Sequence, residues 1–300
     1  MTETRRGALF GATAYLLWGG FPLFFPLLKP AGAVEVLAHR VVWSLVVVAV
    51  LVQLTRRWSG VRAVVADRGK LTRLSAAAVV LAVNWGVYIY GVTSGRVVET
   101  SLGYFINPLV TVLLGVVVLR ERLRAVQYAA LGLAGVAVLF LSIENGRPPW
   151  IALILAVSFG TYGLLKKTAV VGAVEGLAVE TAVLTPLGLV YLVVLQGSGH
   201  ATLTTHGPGH AALLALTGLV TAVPLLFFGA AASRVPLTTL GVLQYLAPTL
   251  QFLLGVLVFH EALGLARLLG FVLVWTALLV FTADLVTQRR QLRLAVPEPV

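Results

Sequence analysis

The chain alternates long apolar runs with short polar connections over nearly its whole length. Each run is long enough to supply the roughly 20 residues that an α-helix needs to cross a membrane. The runs are continuously apolar and do not alternate as the strands of a membrane barrel do, so helices are the expected elements. Ten helices are predicted, at about residues 7–28, 34–54, 74–93, 101–119, 125–142, 150–165, 175–195, 211–232, 238–259 and 268–286.

The composition leads to the same class of protein. Hydrophobic residues make up 59% of the 300 positions and charged residues only 11%, whereas a soluble domain carries roughly 25% charged residues. We therefore predict an all-α integral membrane protein. The chain has no cysteine, which excludes disulfides, thiolate metal sites and cysteine nucleophiles.

The net charge of +11 follows membrane topology and does not indicate a nucleic-acid partner. If the N-terminus is cytoplasmic, seventeen of the 22 Lys and Arg residues lie on the cytoplasmic side, as the positive-inside rule expects. Arg40 lies within a helix, and the outer side holds Lys29, Arg96, Arg147 and Arg267. The sequence thus predicts a multi-pass protein of the inner (plasma) membrane, embedded in the lipid bilayer, with both termini cytoplasmic.

The second half of the chain repeats a pattern of the first. Identical residues recur 140 positions apart in four blocks, which are 32–35 with 172–175, 108 with 248, 113–116 with 253–256, and 121 with 261. Because five helices fill each repeat, the second copy enters the membrane in the opposite orientation. The predicted units are a five-helix repeat at 1–145, an inverted five-helix repeat at 146–288 and a cytoplasmic, disordered tail at 289–300. The alternative is a chance likeness between two Leu/Val/Gly-rich stretches, which the shared spacing of Pro, Gly and Glu disfavours.

Six blocks spread along the chain carry a family resemblance. They are AYLLWGGFPLFFPLLK at 14–29, EVLAHRVVWS at 35–44, NWGVYIYGV at 84–92, SLGYFINPL at 101–109, SFGTYGLLKK at 158–167 and LQYLAPTLQFLLGVLVFHE at 243–261. Together they resemble the RarD branch of the EamA-type drug/metabolite transporters. The resemblance implies a bundle of ten helices in two inverted repeats and the carriage of a small solute or drug.

Ionisable residues inside the helices are candidates for function, because a charge in the membrane is costly unless it faces a cavity or a partner. Arg40 and His39 lie in the second helix, and Glu180 is the counterpart of Arg40 in the second half. Arg40 and Glu180 are predicted to mark opposite ends of a central cavity and not to form a direct ion pair. Glu180 is also the proton-coupling candidate, because a buried carboxyl group can hold a proton near neutral pH. The alternatives are a snorkelling or paired arginine and a carboxyl group that is hydrogen bonded for packing.

Aromatic and amide side chains are predicted to complete a substrate pathway. Aromatic walls with a few amides suit an amphipathic organic solute better than a bare ion. For each residue, helix–helix packing is the alternative role. The predicted pathway consists of Trp18, His39, Arg40, Trp43, Asn84, Trp85, Tyr88, Tyr104, Asn107, Glu180, Gln244, Tyr245 and Gln251.

Two features outside this pathway receive structural interpretations. Glu121 and Glu261 are each expected to cap the helix that follows, where a carboxylate meets the helix dipole. The connection 196–210 is expected to be a solvated outer loop. A metal site is disfavoured there, because Gly207-Pro208-Gly209 should not form the helix that would align its histidines.

The function predicted from the sequence is secondary transport. The chain would export a small organic solute, metabolite or drug by alternating access. We find no Gly-x-Ser-x-Gly, His-Glu-x-x-His or nucleotide-binding Gly-rich motif, so no enzymatic activity, catalytic residue, metal or cofactor is predicted. A passive channel or facilitator and a non-transporting receptor or scaffold remain the alternatives, and homo-oligomerisation is left open.

Overall fold

The protein is helical throughout the part that the structure describes. The computed structural model describes residues 3–120, 123–144, 146–232, 234–235 and 243–294. Within these ranges eight helices are long and apolar enough to cross a membrane, and two shorter apolar helices cover Trp150–Lys166 and Leu246–Val258. The all-α class predicted from the sequence is confirmed.

The helices follow the apolar runs closely. Those up to residue 144 are α1 (Glu3–Gly19), α2 (Phe21–Phe24) with a 3₁₀ turn at Phe25–Leu28, α3 (Ala33–Leu54), α4 (Trp58–Ala66), α5 (Arg68–Thr93), α6 (Val97–Leu119) and α7 (Ala125–Glu144). Those that follow are α8 (Trp150–Ala169), α9 (Ala173–Gly197), α10 (Thr202–Thr205), α11 (Gly207–Ala232), α12 (Leu246–Leu253) with a π-helical turn at Leu254–Val258, and α13 (Leu265–Leu294).

The first predicted helix, 7–28, is not continuous. After α1 the chain forms the short α2 and then the 3₁₀ turn. Pro22 and Pro26 each lack the backbone N–H that a regular helix would use, so the α-helical ladder cannot continue through this stretch. The broken segment buries the rings of Phe21 and Phe25 in the bundle.

Two polar segments are more helical than predicted. α4 is a short helix in the connection 55–67, and Val64 is its only buried residue. Its polar and basic residues stay exposed, as suits a helix lying at the membrane surface. The prediction of a disordered tail after Arg289 is wrong as far as Leu294, where α13 ends.

The connection 196–210 is also shorter and more ordered than predicted. α9 continues to Gly197, and α11 already begins at Gly207. The expectation that residues 207–209 cannot be helical is therefore wrong. Pro208 lies in the first turn of α11, where the missing N–H would have had no helical partner in any case.

Two glutamates at corresponding positions fasten connections to the starts of helices. Glu35, in the first turn of α3, accepts hydrogen bonds from the Thr202 backbone N–H at 2.7 Å and the Thr202 hydroxyl at 2.9 Å. Glu175, in the first turn of α9, pairs with the Arg57 guanidinium at 3.2 Å. Thr202 is buried, so a fully solvated loop at 196–210 is excluded.

Glu261 caps a helix, but not the helix that follows it. Its carboxylate accepts hydrogen bonds from the backbone N–H groups of Val97 and Val98, the latter at 2.9 Å. These groups belong to the first turn of α6, where helices leave N–H groups unsatisfied. Burial raises the pKa of the Glu261 carboxyl group, and the two N–H bonds oppose that rise. Glu121 lies outside the described residues, so its expected cap stays a prediction.

The bundle is assembled from a few extensive helix pairs. α3 packs against both α9 and α11, and α8 packs against both α5 and α6. α1 packs against α11 and α12, and α7 packs against α13. One apolar cluster contains Phe105 and Phe271 between α6, α7 and α13. A second contains Phe25 and Tyr88 beside α3, and it borders the candidate site.

Candidate functional site

Arg40 lies in the interior of the bundle and is enclosed by aromatic rings. Its position on α3 leaves the residue only 3% exposed. The guanidinium carbon lies 4.1 Å from the centroid of the Trp85 ring, which α5 contributes. The Phe21 and Phe25 rings, from the broken stretch after α1, lie at 5.4 and 5.8 Å. These distances are those of cation–π contacts, which are strongest where water is excluded.

The polar groups of Arg40 are only partly satisfied. Its Nε donates a hydrogen bond of 2.7 Å to the Thr221 hydroxyl on α11. Its Nη1 is buried and has no hydrogen-bond partner among the residues that the structure describes. No carboxylate in those ranges forms an ion pair with Arg40. A buried, unpaired N–H of a charged group costs on the order of 1–3 kcal/mol, so this arginine is a ready donor for a bound acceptor.

Tyr88 and Tyr104 extend the aromatic wall from Arg40 toward α8. The Tyr88 ring stands edge-on to Phe25 at 5.9 Å and to Tyr104 at 5.7 Å. The Tyr104 ring meets Phe159 on α8 at 6.0 Å. The Tyr88 hydroxyl is buried and lacks a partner within the described ranges. The Tyr88 hydroxyl is therefore a second polar group without a partner in the described part of the chain, and it interacts electrostatically with Arg40.

The two predicted asparagines are used for helix packing. Asn84 donates to the Leu155 carbonyl at 3.1 Å and to the Ser158 hydroxyl at 3.0 Å, and both residues lie on α8. Its carbonyl oxygen accepts a bond of 3.2 Å from the Tyr104 hydroxyl. Asn107 donates to the backbone carbonyl of Ala156 at 3.1 Å. Both amides thus fasten their helices to α8, which is the packing role that the sequence left open for them.

Glu180 has its own partners, separate from Arg40. Its carboxylate is bound by the Lys166 ammonium at 2.7 Å and accepts a bond of 3.3 Å from the Tyr162 hydroxyl. Glu180 is 2% exposed, whereas the Lys166 side chain keeps 24% of its surface. Neither partner was predicted, although Tyr162 and Lys166 are four residues apart and share one face of α8. The cluster is a carboxylate–ammonium pair with one edge open to the surroundings.

His39 and Trp43 lie where α3 crosses α11. His39 is 2% exposed, and its Nε2 has no hydrogen-bond partner in the described part of the chain. The backbone of Trp43 lies so close to Gly218 that a Cβ atom there would be 2.5 Å from the Trp43 carbonyl carbon and oxygen. This close approach lets Thr221, one turn further along α11, reach Arg40.

The remaining predicted residues lie around α1 and α12. Gln251 donates a bond of 3.2 Å to the Trp18 carbonyl, and the Trp18 ring packs with Phe228 at 5.7 Å. Trp18 borders the same apolar cluster as Tyr88. Tyr245 lies within hydrogen-bonding reach of Gln244 and borders the other cluster.

The structure brings only part of the predicted pathway together. Arg40 contacts the rings of Trp85, Phe21 and Phe25. Phe25 contacts Tyr88, which contacts Tyr104, and Trp18 borders the same apolar cluster. Sequence reasoning missed Phe21, Phe25 and Thr221, although the two phenylalanines are four residues apart in one of the family-like blocks. In the described ranges no three His, Asp or Glu side chains are grouped to hold a metal ion.

Comparisons with known proteins agree on one family. The EamA-like transporter family model matches residues 5–143. "Protein RarD" of Streptomyces exfoliatus is 56% identical over 97% of this chain and 92% of its own length. "Uncharacterized transporter YojE" of Bacillus subtilis is 39% identical over 96% and 97% of the two chains. "Chloramphenicol-sensitive protein RarD" of Pseudomonas aeruginosa is 34% identical over 93% and 94%.

A solved structure shares the fold at low sequence identity. A crystal structure with 20% identity aligns over 94% of this chain and 98% of its own, with a TM-score of 0.60. The likeness concerns the arrangement of the helices alone. The sequence relatives decide the family, because their identity extends over nearly the full length. The chain is a multi-pass membrane protein and belongs to the RarD branch of the EamA-like transporter family.

Proposed function

We propose that this chain is a secondary transporter that exports a small organic solute, a metabolite or a drug, by alternating access. The buried Arg40 carries the proposal. Its Nη1 has no hydrogen-bond partner among the described residues, and a carboxylate or carbonyl oxygen of a solute would satisfy it. The rings around the guanidinium would contact an apolar or aromatic part of the solute. Small-molecule sites usually combine such apolar walls with a few polar groups that fix the orientation of the ligand.

Two inverted five-helix halves would supply the alternating access. With a shift of 140 residues, α1 corresponds to α8, α3 to α9, α5 to α11, α6 to α12 and α7 to α13. The α5–α8 contact is then equivalent to α11–α1, and α6–α8 to α12–α1. The α3–α9 and α7–α13 contacts each map onto themselves. Such a closed set of pairs supports a two-fold relation between the two halves, as in other carriers with internal repeats.

The two fastening glutamates support the inversion independently. Glu35, at the start of α3, binds Thr202 in the connection after α9. Glu175, at the start of α9, binds Arg57 in the connection after α3. Each helix therefore starts on the side where its counterpart ends. When each repeat has an odd number of helices, corresponding helices of the two repeats must run in opposite directions, as α3 and α9 do here.

Transport itself is tested in vesicles that contain the purified protein. We choose chloramphenicol as one probe, because the name of one relative mentions it, and benzoate as a second, because it joins a carboxylate to an aromatic ring. The proposal expects uptake of at least one such aromatic acceptor that saturates with concentration. Uptake that rises linearly without saturation would indicate a channel. If no aromatic acceptor were taken up, the chain would be better explained as a receptor or scaffold that does not transport.

Both termini are proposed to lie in the cytoplasm, which single-cysteine labelling can test. The native chain has no cysteine, so a single introduced thiol reports one position. Thr204→Cys in α10 should react with a membrane-impermeant maleimide on intact cells. Ser59→Cys in α4 should react only after permeabilisation. Labelling of Ser59→Cys from outside, with Thr204→Cys shielded, would reverse the topology.

Glu180 is the proposed site of proton coupling, and Glu180→Gln tests it. Its carboxylate is buried beside Lys166 and Tyr162, so protonation would release the ammonium group. The variant should lose any dependence of transport on an imposed pH gradient, because glutamine cannot exchange a proton. Glu175→Gln on the same helix serves as the matched control and should retain the dependence. An unchanged response in Glu180→Gln would assign Glu180 to packing.

A further inference from the structure

A pocket that does not involve Arg40 lies at one end of the bundle. It has a volume of about 140 Å³ and forms where three connections meet. Arg96 comes from the connection between α5 and α6, Arg147 from the connection between α7 and α8, and Arg267 from the first turn of α13. We call this site the arginine pocket.

The two carboxylates in the arginine pocket are already committed to backbone groups. Glu99 accepts a hydrogen bond of 3.2 Å from the Ile151 N–H at the start of α8. Glu261 accepts bonds from the first N–H groups of α6. Both carboxylates therefore serve as helix caps and hold the walls of the pocket in place.

The arginines, in contrast, have few hydrogen-bond partners among the residues that the structure describes. Arg267 donates one bond of 3.0 Å to the Ala262 carbonyl and interacts electrostatically with Glu261. Arg96 is half-buried and Arg147 is exposed. Over the ranges that the structure describes, neither side chain makes a hydrogen bond or an ion pair. Three guanidinium groups thus line one small pocket with two carboxylates that already have partners.

The position of these arginines in the topology is also unusual. Arginine and lysine are depleted from outer connections by the positive-inside rule. In the topology proposed above, the outer side holds four basic residues, and three of them line the arginine pocket. Residues that depart from the general bias and converge in space indicate a common ligand. The assignment of the pocket to the outer side rests on the proposed topology, whereas the binding argument does not.

We propose that the arginine pocket binds a phosphate group, from either the headgroup of an anionic phospholipid or a free phosphate. A guanidinium fork matches the geometry of phosphate oxygens and can bind two of them at once. The pocket volume of about 140 Å³ corresponds to several water molecules, each of which occupies roughly 30 Å³ in the liquid. A phosphate group is of comparable size. A bound phosphate would join the three connections and hold that end of the bundle together.

The test uses purified full-length protein in neutral detergent and measures bound ligand by native mass spectrometry. Phosphatidylglycerol, phosphatidylcholine and inorganic phosphate are the probes. The triple variant Arg96→Gln/Arg147→Gln/Arg267→Gln removes the guanidinium groups. Lys29→Gln, which removes another outer positive charge away from the pocket, is the matched control. Single variants, and Arg147→Lys, which keeps the charge but loses the fork, cover the case in which the triple variant does not fold.

We expect the wild type and Lys29→Gln to retain phosphatidylglycerol or inorganic phosphate. Binding should be about tenfold weaker in each single glutamine variant, as the loss of a charged hydrogen bond implies. Binding of phosphatidylglycerol alone would identify a lipid headgroup, and binding of inorganic phosphate would identify a free anion. Equal retention of phosphatidylcholine, equal binding by the arginine variants, or no binding by the wild type would overturn the proposal.

Discussion

Replacing Arg40 with glutamine should lower transport of an acceptor-bearing solute by about 10- to 100-fold. A hydrogen bond to a charged group contributes about 1.5–3 kcal/mol, and 1.4 kcal/mol corresponds to a factor of ten. The substitution removes both the Nη1 donor, which has no partner in the described ranges, and the cation–π contact with Trp85. The protein should still insert and fold, because a buried charge is itself penalised by about 2.5–3.5 kcal/mol on insertion scales. The measurement is initial uptake into vesicles at matched protein levels.

Two further variants separate a binding role of Arg40 from a purely structural role. Arg40→Lys keeps the positive charge but loses the planar fork, so it should recover only part of the transport. Arg62→Gln makes the same chemical change at an exposed position of α4 and should transport like the wild type. Normal uptake by Arg40→Gln, with normal thermal stability, would show that this arginine does not contact the solute.

Replacing Gly218 with valine should give the largest loss of stability among these variants. A Cβ atom at this position would lie 2.5 Å from the Trp43 carbonyl group, which belongs to a helix backbone and cannot rotate away. Helices in membranes rely on such small residues for close packing. Overpacking costs about 1–3 kcal/mol or more, so the melting temperature should fall by several degrees. Transport should fall too, because Thr221 on the displaced helix would no longer reach Arg40.

Gly135 provides the matched control for Gly218. It lies on the exposed face of α7, and a Cβ atom there would meet nothing within 4 Å. Gly135→Val makes the same change within an apolar helix and should melt close to the wild type. If the two valine variants had equal melting temperatures, the close crossing of α3 and α11 would not be needed for stability.

The positions of most helices could be predicted because the apolar runs end at clear polar boundaries. The predicted helix 34–54 differs from α3 by one residue at its start. The wrong helix boundaries occur where the effect of a proline and the hydrophobic pattern favour different structures. Pro22 and Pro26 break an apolar run that is long enough for one helix, and Pro208 begins a helix that it was expected to prevent.

The candidate site was only partly predictable for a similar reason. Arg40 and Glu180 stand out in the sequence because charges are rare in membrane helices. Their partners lie on other helices or in irregular segments, as Thr221 does for Arg40 and Lys166 for Glu180. Spacing within one helix carries no information on such contacts. The same limit explains why Asn84 could not be assigned to packing before its bonds to α8 were known.

Counterflow in vesicles distinguishes alternating access from passive conduction. Vesicles containing the wild-type protein are loaded with an excess of unlabelled solute and diluted into a trace of the same solute in labelled form. An alternating-access carrier returns to the outer side and accumulates label transiently above equilibrium, so we expect an overshoot in the wild type and its loss in Arg40→Gln. A monotonic approach to equilibrium in the wild type, with no overshoot for any transported solute, would show that the protein is not an alternating-access carrier.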